Sequence, residues 1–192
     1  TDYLEDAVTA YPDRTAIVGY VSQTGIRSHH SYAELAQLAE RIALGLKAHG
    51  IGPGDVVAAQ LPNYWHFGAL YLACVKVGAI INPLMPIFRH RELSFMLSFG
   101  EAKAVFVPHL FRGFDYPAMI EELRPELPAL EHVFVVGGDD ADELARIIHH
   151  RGREKRVLPE HQRGLFLVHL DIGRPQFRQH NVVDAHGALI TR

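Results

Sequence analysis

Val135-Val136-Gly137-Gly138-Asp139-Asp140 has an order in which a chain can hold phosphate: an apolar strand, a glycine pair, then the start of a helix. Backbone amides at such a turn cradle anions. The segment lacks both the full dinucleotide-binding fingerprint and the lysine of a P-loop. Asp139 and Asp140 would also repel phosphate, and they read as helix N-terminal caps. The histidines raise metal binding. His29-His30 and His149-His150 are adjacent pairs, and sequence neighbours do not readily share one tetrahedral ion. No His-x3-His spacing or Cys/His cluster accompanies them, so they read as solvated surface histidines. Glu121, Glu122 and Glu126 lie toward an exposed helix end with no partner acid, which gives no paired-carboxylate site. Cys74 sits among helix-core residues and reads as a buried small hydrophobe rather than a nucleophile. Tyr64, Trp65, Phe67 and Tyr71 form an aromatic cluster whose default role is core packing, with a ligand platform as the alternative.

The elements that must position these groups are well marked as far as about residue 150. Residues 2–11 read as a short amphipathic helix stopped at Pro12-Asp13. Thr15 to Tyr20 and Ile26 to His30 read as a hairpin around Gln23-Thr24-Gly25. Ser31-Tyr32-Ala33-Glu34 is a capping box. Behind it Leu35, Leu38, Ala39, Ile42, Ala43 and Leu46 line one helical face, and Gly50 ends the helix. A strand is predicted at Val56 to Leu61, a helix at Tyr64 to Val77 and a strand at Ala79 to Ile81. Gly78 takes the left-handed position after the helix. The strand after it is apolar on both faces, as in a buried parallel sheet, and Pro83 and Pro86 fix its exit. Further helices are predicted at Arg89 to Ser98, Tyr116 to Leu123 and Asp139 to His150, with strands at Ala104 to Val107 and His132 to Val136. This alternation implies an α/β fold, a mostly parallel sheet with helices on both faces. Gly164 to Leu170 fits one more strand, and Asp171 to Arg192 shows no clear period, an irregular C-terminal tail.

The bulk properties of the 192 residues, 48% hydrophobic and 21% charged with net charge −3, are those of an ordinary globular chain. They give no reason to expect nucleic-acid or membrane binding. The most apolar stretch, Phe67 to Leu84, contains Lys76 and ends in prolines, which excludes a span there. The first residues do not read as a signal segment. The opening residue is Thr1 rather than an initiator Met, from which a piece of a longer polypeptide is expected. A lone cysteine fits a reducing, cytoplasmic setting. Charge is uneven, however: residues 149–192 hold 8 Lys/Arg against 4 Asp/Glu and 6 of the 13 histidines. His149 to Arg156 is the centre of this basic region.

Several segments, in order, resemble the AMP-forming acyl-CoA synthetases of the adenylate-forming ligase superfamily. His30-Ser31-Tyr32-Ala33-Glu34-Leu35 resembles that family's first core motif. Gly50-Ile51-Gly52-Pro53-Gly54-Asp55-Val56-Val57-Ala58 resembles the segment leading into its first sheet strand. Leu61-Pro62-Asn63 with Tyr64, Trp65 and Phe67 resembles the entry to the next helix. Lys76-Val77-Gly78-Ala79 with Asn82-Pro83 resembles the second core motif. Asn82 to Leu93 and Phe111 to Tyr116 are similar to the cyclohexanecarboxylate–CoA ligase branch. The resemblance covers residues 1–148 and implies the N-terminal subdomain of the ligase fold.

It also implies two half-reactions, carboxylate plus ATP giving acyl-adenylate and pyrophosphate, then CoA displacing AMP, with ATP, Mg²⁺, CoA and a small carboxylic acid as the intact ligase's cofactors and substrates. The phosphate-cradling loop, the acids for Mg²⁺ and a mobile lysine all fall downstream of residue 148 in that family. No residue of this chain therefore receives a catalytic, cofactor-binding or metal-ligating role. The expectation is an inactive fragment that binds none of these groups, and a stand-alone α/β binding module with a basic tail is the alternative. Residues 149–192 read as a divergent, His-rich tail. Read one nucleotide later, Phe166 to Pro175 can encode Phe-Leu-Tyr-Thr-Ser-Thr-Ser-Gly-Asp-Pro, close to the expected phosphate loop. A frameshift or truncation is the expectation that joins these facts.

Overall fold

The computed structural model describes residues 2–21 and 26–136, followed by short strand segments at 147–150, 167–170, 181–183 and 189–191. It begins with helix α1 (Asp2–Ala10) and an antiparallel hairpin, β1 (Thr15–Val21) on β2 (Ile26–Ser31). The expected turn at Gln23–Gly25 lies outside the described residues. The hairpin approaches closely because Gly19 has no side chain: a Cβ there would lie 2.7 Å from the Trp65 ring. Helix α2 (Tyr32–Ala48) starts on the capping box, with Glu34 N–H donating to Ser31 Oγ at 3.2 Å and Ser31 N–H to Glu34 Oε2 at 2.8 Å. Every residue of the predicted apolar stripe, from Leu35 to Leu46, is buried.

Strand β3 (Val56–Ala59) leads through Gln60–Tyr64 into α3 (Trp65–Val77), which ends at Gly78 with φ +77°. The N–H of Ala79 reaches Cys74 O at 2.9 Å and that of Gly78 reaches Val75 O at 3.2 Å, the paired bonds that close a helix through a left-handed residue. Then come β4 (Ile80–Pro83), α4 (His90–Phe99) and β5 (Ala102–Pro108). A small hairpin of β6 (Leu110–Phe111) and β7 (Phe114–Asp115) precedes α5 (Tyr116–Leu123), a 3-10 turn (Arg124–Glu126) and β8 (His132–Val136). Asp115 caps α5 by accepting from Ala118 N–H at 2.9 Å.

Among the described residues one sheet has the order β4-β3-β5-β8-β10-β9, with β9 (Ile147–His150) and β10 (Leu167–Leu170). The pairs β3–β4, β3–β5 and β5–β8 are parallel, and β10 meets β8 antiparallel at His169 and Phe134. A separate hairpin joins β11 (Asn181–Val183) to β12 (Leu189–Thr191). Alternate strand residues feed two cores. Val57, Ala59, Ala104, Phe106, Phe134 and Val136 pack with α2 and α3, while Ala58, Val105, Val107, Val133 and Val135 pack with α4 and α5. Side chains on a strand alternate between faces, so a sheet covered on both sides needs this continuous apolar run.

Two sequence expectations are corrected. The strand after Gly78 is not buried on both faces: β4 is the outermost strand of the order and Ile80 is 55% exposed. Among the described residues its sole sheet partner is β3, and Ala79 and Ile81 pack only partly against the first core. In the predicted helix at Asp139–His150, Ile147–His150 instead forms β9, paired parallel with β10. Residues 139–146 lie outside the described residues.

Candidate functional site

The strand order reverses at β3, since the chain moves outward to β4 and then crosses back to the far side of β3 to form β5. In open α/β sheets the crevice beyond the carboxyl ends of the strands at such a reversal is where ligands bind. The residues collected there follow β3 (Gln60 to His66), β4 (Leu84 to Arg89) and β5 (His109 to Tyr116).

Gln60 is the hub, and it is fully buried at 0% exposure. Its N–H continues the sheet by donating to Phe106 O at 2.9 Å. Its side-chain Nε2 donates to Met85 O at 3.1 Å and Phe88 O at 3.0 Å. Oε1 has no partner among the described residues. Tyr116 reaches the same loop, its hydroxyl donating to Pro86 O at 2.8 Å. Arg89 Nη1 donates to Pro86 O at 2.6 Å and Phe88 O at 2.8 Å, and its guanidinium lies 4.0 Å from the Phe114 ring centroid. The loop that Pro83 and Pro86 open is thereby knitted to the segments that follow β3 and β5.

Beside it stands an aromatic stack. The Trp65 ring lies between His30 and His66, with centroid separations of 3.9 and 3.8 Å. Burial, and then the neighbouring His30, push His66 down to about 4, and neither of its ring nitrogens has a partner among the described residues. Tyr64 meets Phe111 and His66 edge-on. Burial, then Tyr116, raise its phenol above the ordinary value. At neutral pH this edge therefore presents a neutral imidazole, a protonated phenol and a half-satisfied amide, with the Arg89 guanidinium held against Pro86 O, Phe88 O and the Phe114 ring beside them. It can shape and position, and it has no activated nucleophile. Cys74 is buried in the first core with its thiol pushed up to about 12 by burial, as its place on the helix predicts.

The other sequence candidates scatter. His29 is exposed, but His30 is half-buried against Trp65, not a solvated surface histidine, because Gly19 lets the hairpin close onto that ring. Trp65 and Phe67 pack on the first core while Tyr71, 48% exposed, points to solvent, so the four aromatics are not one cluster. Glu122 pairs with His90 at 2.6 Å and Glu126 accepts from Ser94 Oγ, which ties α5 and its following turn to α4. Gly137, Gly138, Asp139 and Asp140 lie outside the described residues. Among the described residues no group of three His, Cys, Asp or Glu could hold a metal ion, and no helix is long and apolar enough to cross a membrane. Gln60 and His66 were invisible to sequence reasoning. The only signal for Gln60 is an amide at the end of an apolar strand.

Comparison with known sequences decides the family. The profile of the AMP-binding enzyme family matches residues 4–178. The chain belongs to that family. A 2-hydroxy-7-methoxy-5-methyl-1-naphthoate–CoA ligase of Streptomyces carzinostaticus is 36% identical over 132 residues, covering 61% of this chain and 24% of the relative. A medium-chain fatty-acid–CoA ligase of Escherichia coli is 35% identical over 132 residues, 69% of this chain and 22% of the relative. The fold is shared with an anthranilate CoA ligase solved in complex with anthranoyl-AMP, at TM-score 0.62 and 21% identity, covering 75% of this chain and 26% of that one. The chain spans about a quarter of the length of the curated relatives it matches. The family match runs past residue 148 into the basic region. Of the Phe166–Pro175 segment, the strand Leu167–Leu170 is described.

Proposed function

We propose that this chain is the N-terminal sheet portion of an acid–CoA ligase. The intact enzyme activates a small carboxylic acid with ATP and Mg²⁺, releasing pyrophosphate, and passes the acyl group from the adenylate to the CoA thiol, releasing AMP. The observation that carries this reading is the family match over residues 4–178 together with relatives that are acyl- and aryl-CoA ligases. The carboxylic acid is fatty, aromatic or alicyclic. The alicyclic option rests on the likeness of Asn82–Leu93 to the cyclohexanecarboxylate branch. The enzyme works in the cytoplasm. The described crevice does not fit a triphosphate, because Gln60, Tyr64 and His66 are uncharged there, no lysine or carboxylate pair joins them, and the Arg89 guanidinium is already held by Pro86 O, Phe88 O and the Phe114 ring. The chain alone is accordingly inactive and binds neither ATP nor CoA, and its role is to position the wall of the larger enzyme.

ATP–pyrophosphate exchange by the purified chain, with octanoate, salicylate and cyclohexanecarboxylate in turn, tests this. The expected result is no exchange above the protein-free blank, and exchange with any acid overturns the inactivity. Residues 149–192 form a divergent tail that arises from a frameshift or truncation, a reading supported by the jump in basic and histidine content there. Sequencing the DNA beyond codon 137 and finding no ligase motif in either shifted frame overturns it.

A further inference from the structure

Helix α4 is apolar on opposite sides. Leu93 and Leu97 are buried in the second core. Two positions beyond each, about 200° round the helix, Phe95 and Phe99 are 66% and 80% exposed. Their rings stack with centroids 5.5 Å apart and planes 16° apart. The adjoining flank is occupied, since His90 and Ser94 bond Glu122 and Glu126. The two phenylalanines therefore face away from both the sheet and α5. Met85 and Ile87, in the loop leading into α4, are exposed as well.

A helix at the surface of a finished domain carries polar residues on its outer side, whereas one that is apolar all round lies between layers. The two stacked rings alone present on the order of 300 Å² of contiguous apolar surface, the size at which an exposed patch on a monomer is often functional. We propose that the outer face of α4 is an internal face of the larger enzyme, and that the remaining ligase polypeptide packs on Phe95 and Phe99. The inference rests on the reading of the chain as part of a ligase. Two facts favour this occupant. The matched relatives are about four times as long as the aligned segment. A second copy of this chain would need about 800 Å² per partner for a standard interface, more than twice what the two rings offer. A body joined through the same polypeptide needs less, because the tether already supplies a high effective concentration.

The test mixes the full 192-residue chain with the E. coli medium-chain fatty-acid–CoA ligase lacking the N-terminal segment that matches this chain. The comparison variant is Phe95→Glu with Phe99→Lys, whose i,i+4 pair supports the helix. The expected result is a one-to-one complex by light scattering, at least tenfold weaker for the double variant, while the melting temperature of the isolated variant shifts by no more than about 3 °C. If the shortened ligase is insoluble, this chain's residues 4–136 replace the matched segment of the whole ligase. The double variant should then lower the chimera's melting temperature by more than it lowers that of the isolated chain. Equal binding by wild type and variant, or equal shifts in chimera and isolated chain, overturn the proposal, and where the separate pieces form no complex the tethered chimera decides it. So does a wild-type homodimer that the variant dissolves, which would hand the face to a second copy. Pyrophosphate exchange is read separately on the complex, so that docking without ligase activity removes the ligase reading and leaves the face.

Discussion

His66 is a buried base with nothing to bond among the described residues, and burial holds its imidazole neutral down to about pH 4. An unfolded histidine binds its proton near pH 6.5. Above that value both states are neutral and the stability is complete. As the pH falls from 6.5 toward 4, the unfolded chain takes up a proton that the folded chain refuses, and stability drops by up to about 3 kcal/mol. His66→Phe is expected to keep the stacking on Trp65 and flatten this fall. Urea unfolding at pH 7.5 and pH 5.0 checks it: the wild type should lose about 2 kcal/mol more than the variant between the two. Gln60 makes the opposite case, a buried polar group that bonds. Gln60→Leu removes the donors to Met85 O and Phe88 O, and a cost of about 2 kcal/mol in the urea midpoint is expected. An unchanged midpoint would mean the loop does not need this clamp. Neither residue was legible beforehand, for the same reason. Gln60 bonds carbonyls 25 and 28 positions away, and His66 stacks on Trp65, the ring onto which a hairpin far upstream folds through His30. Cys74 was legible because its burial follows from the helix it sits on.

Elements whose signals are local matched their sequence reading most closely. Ser31 and Glu34 cap α2 through bonds three residues apart, and Ser31→Ala should cost about 1 kcal/mol in thermal or urea unfolding. Gly78 closes α3 at φ +77°, and a Cβ there would sit 3.3 Å from Pro53. Gly78→Ala should cost about 1–2 kcal/mol for the left-handed backbone alone, and more if Pro53 cannot yield. A loss below that for Gly78→Ala, measured by the same unfolding curves, would show that the α3–β4 turn relaxes into another conformation. The status of β4 is different in kind. Ile80-Ile81 reads as a buried strand because apolar content reports potential for burial, while the sheet order decides whether a neighbour arrives. The same strand explains why Pro83 is tolerated at its end. Leu84 N–H returns to Ala59 O at 3.0 Å and Ile80 N–H to Asp55 O at 2.8 Å. Alternation then turns position 83 away from β3, where a missing N–H costs nothing.

At the scale of the whole molecule, the alternation of strands and helices announced an α/β sheet, but not the order of its strands. That order is what puts Gln60 at the reversal and β4 at an edge. The two cores draw all their described buried residues from Leu35 to Val136. Beyond Val136, the described contacts with this body are made on β8, by β10 through the antiparallel pairing of His169 with Phe134 and by the neighbouring β9. A chain ended at Val136 should therefore still fold. Both faces of β8 remain covered, since Val133 and Val135 pack in one core and Phe134 and Val136 in the other. What changes is the free edge of β8, which invites pairing with other chains and should make the shortened protein less soluble without unfolding it. Circular dichroism and urea unfolding of the chain ended at Val136 are expected to keep the helical signal and a single cooperative transition, within about 2 kcal/mol of the full chain, a shift no larger than a typical single substitution produces. A broad, non-cooperative transition would show that residues 137–192 supply part of the core. The boundary near residue 148 would then be a change of composition inside one folding unit rather than the end of it.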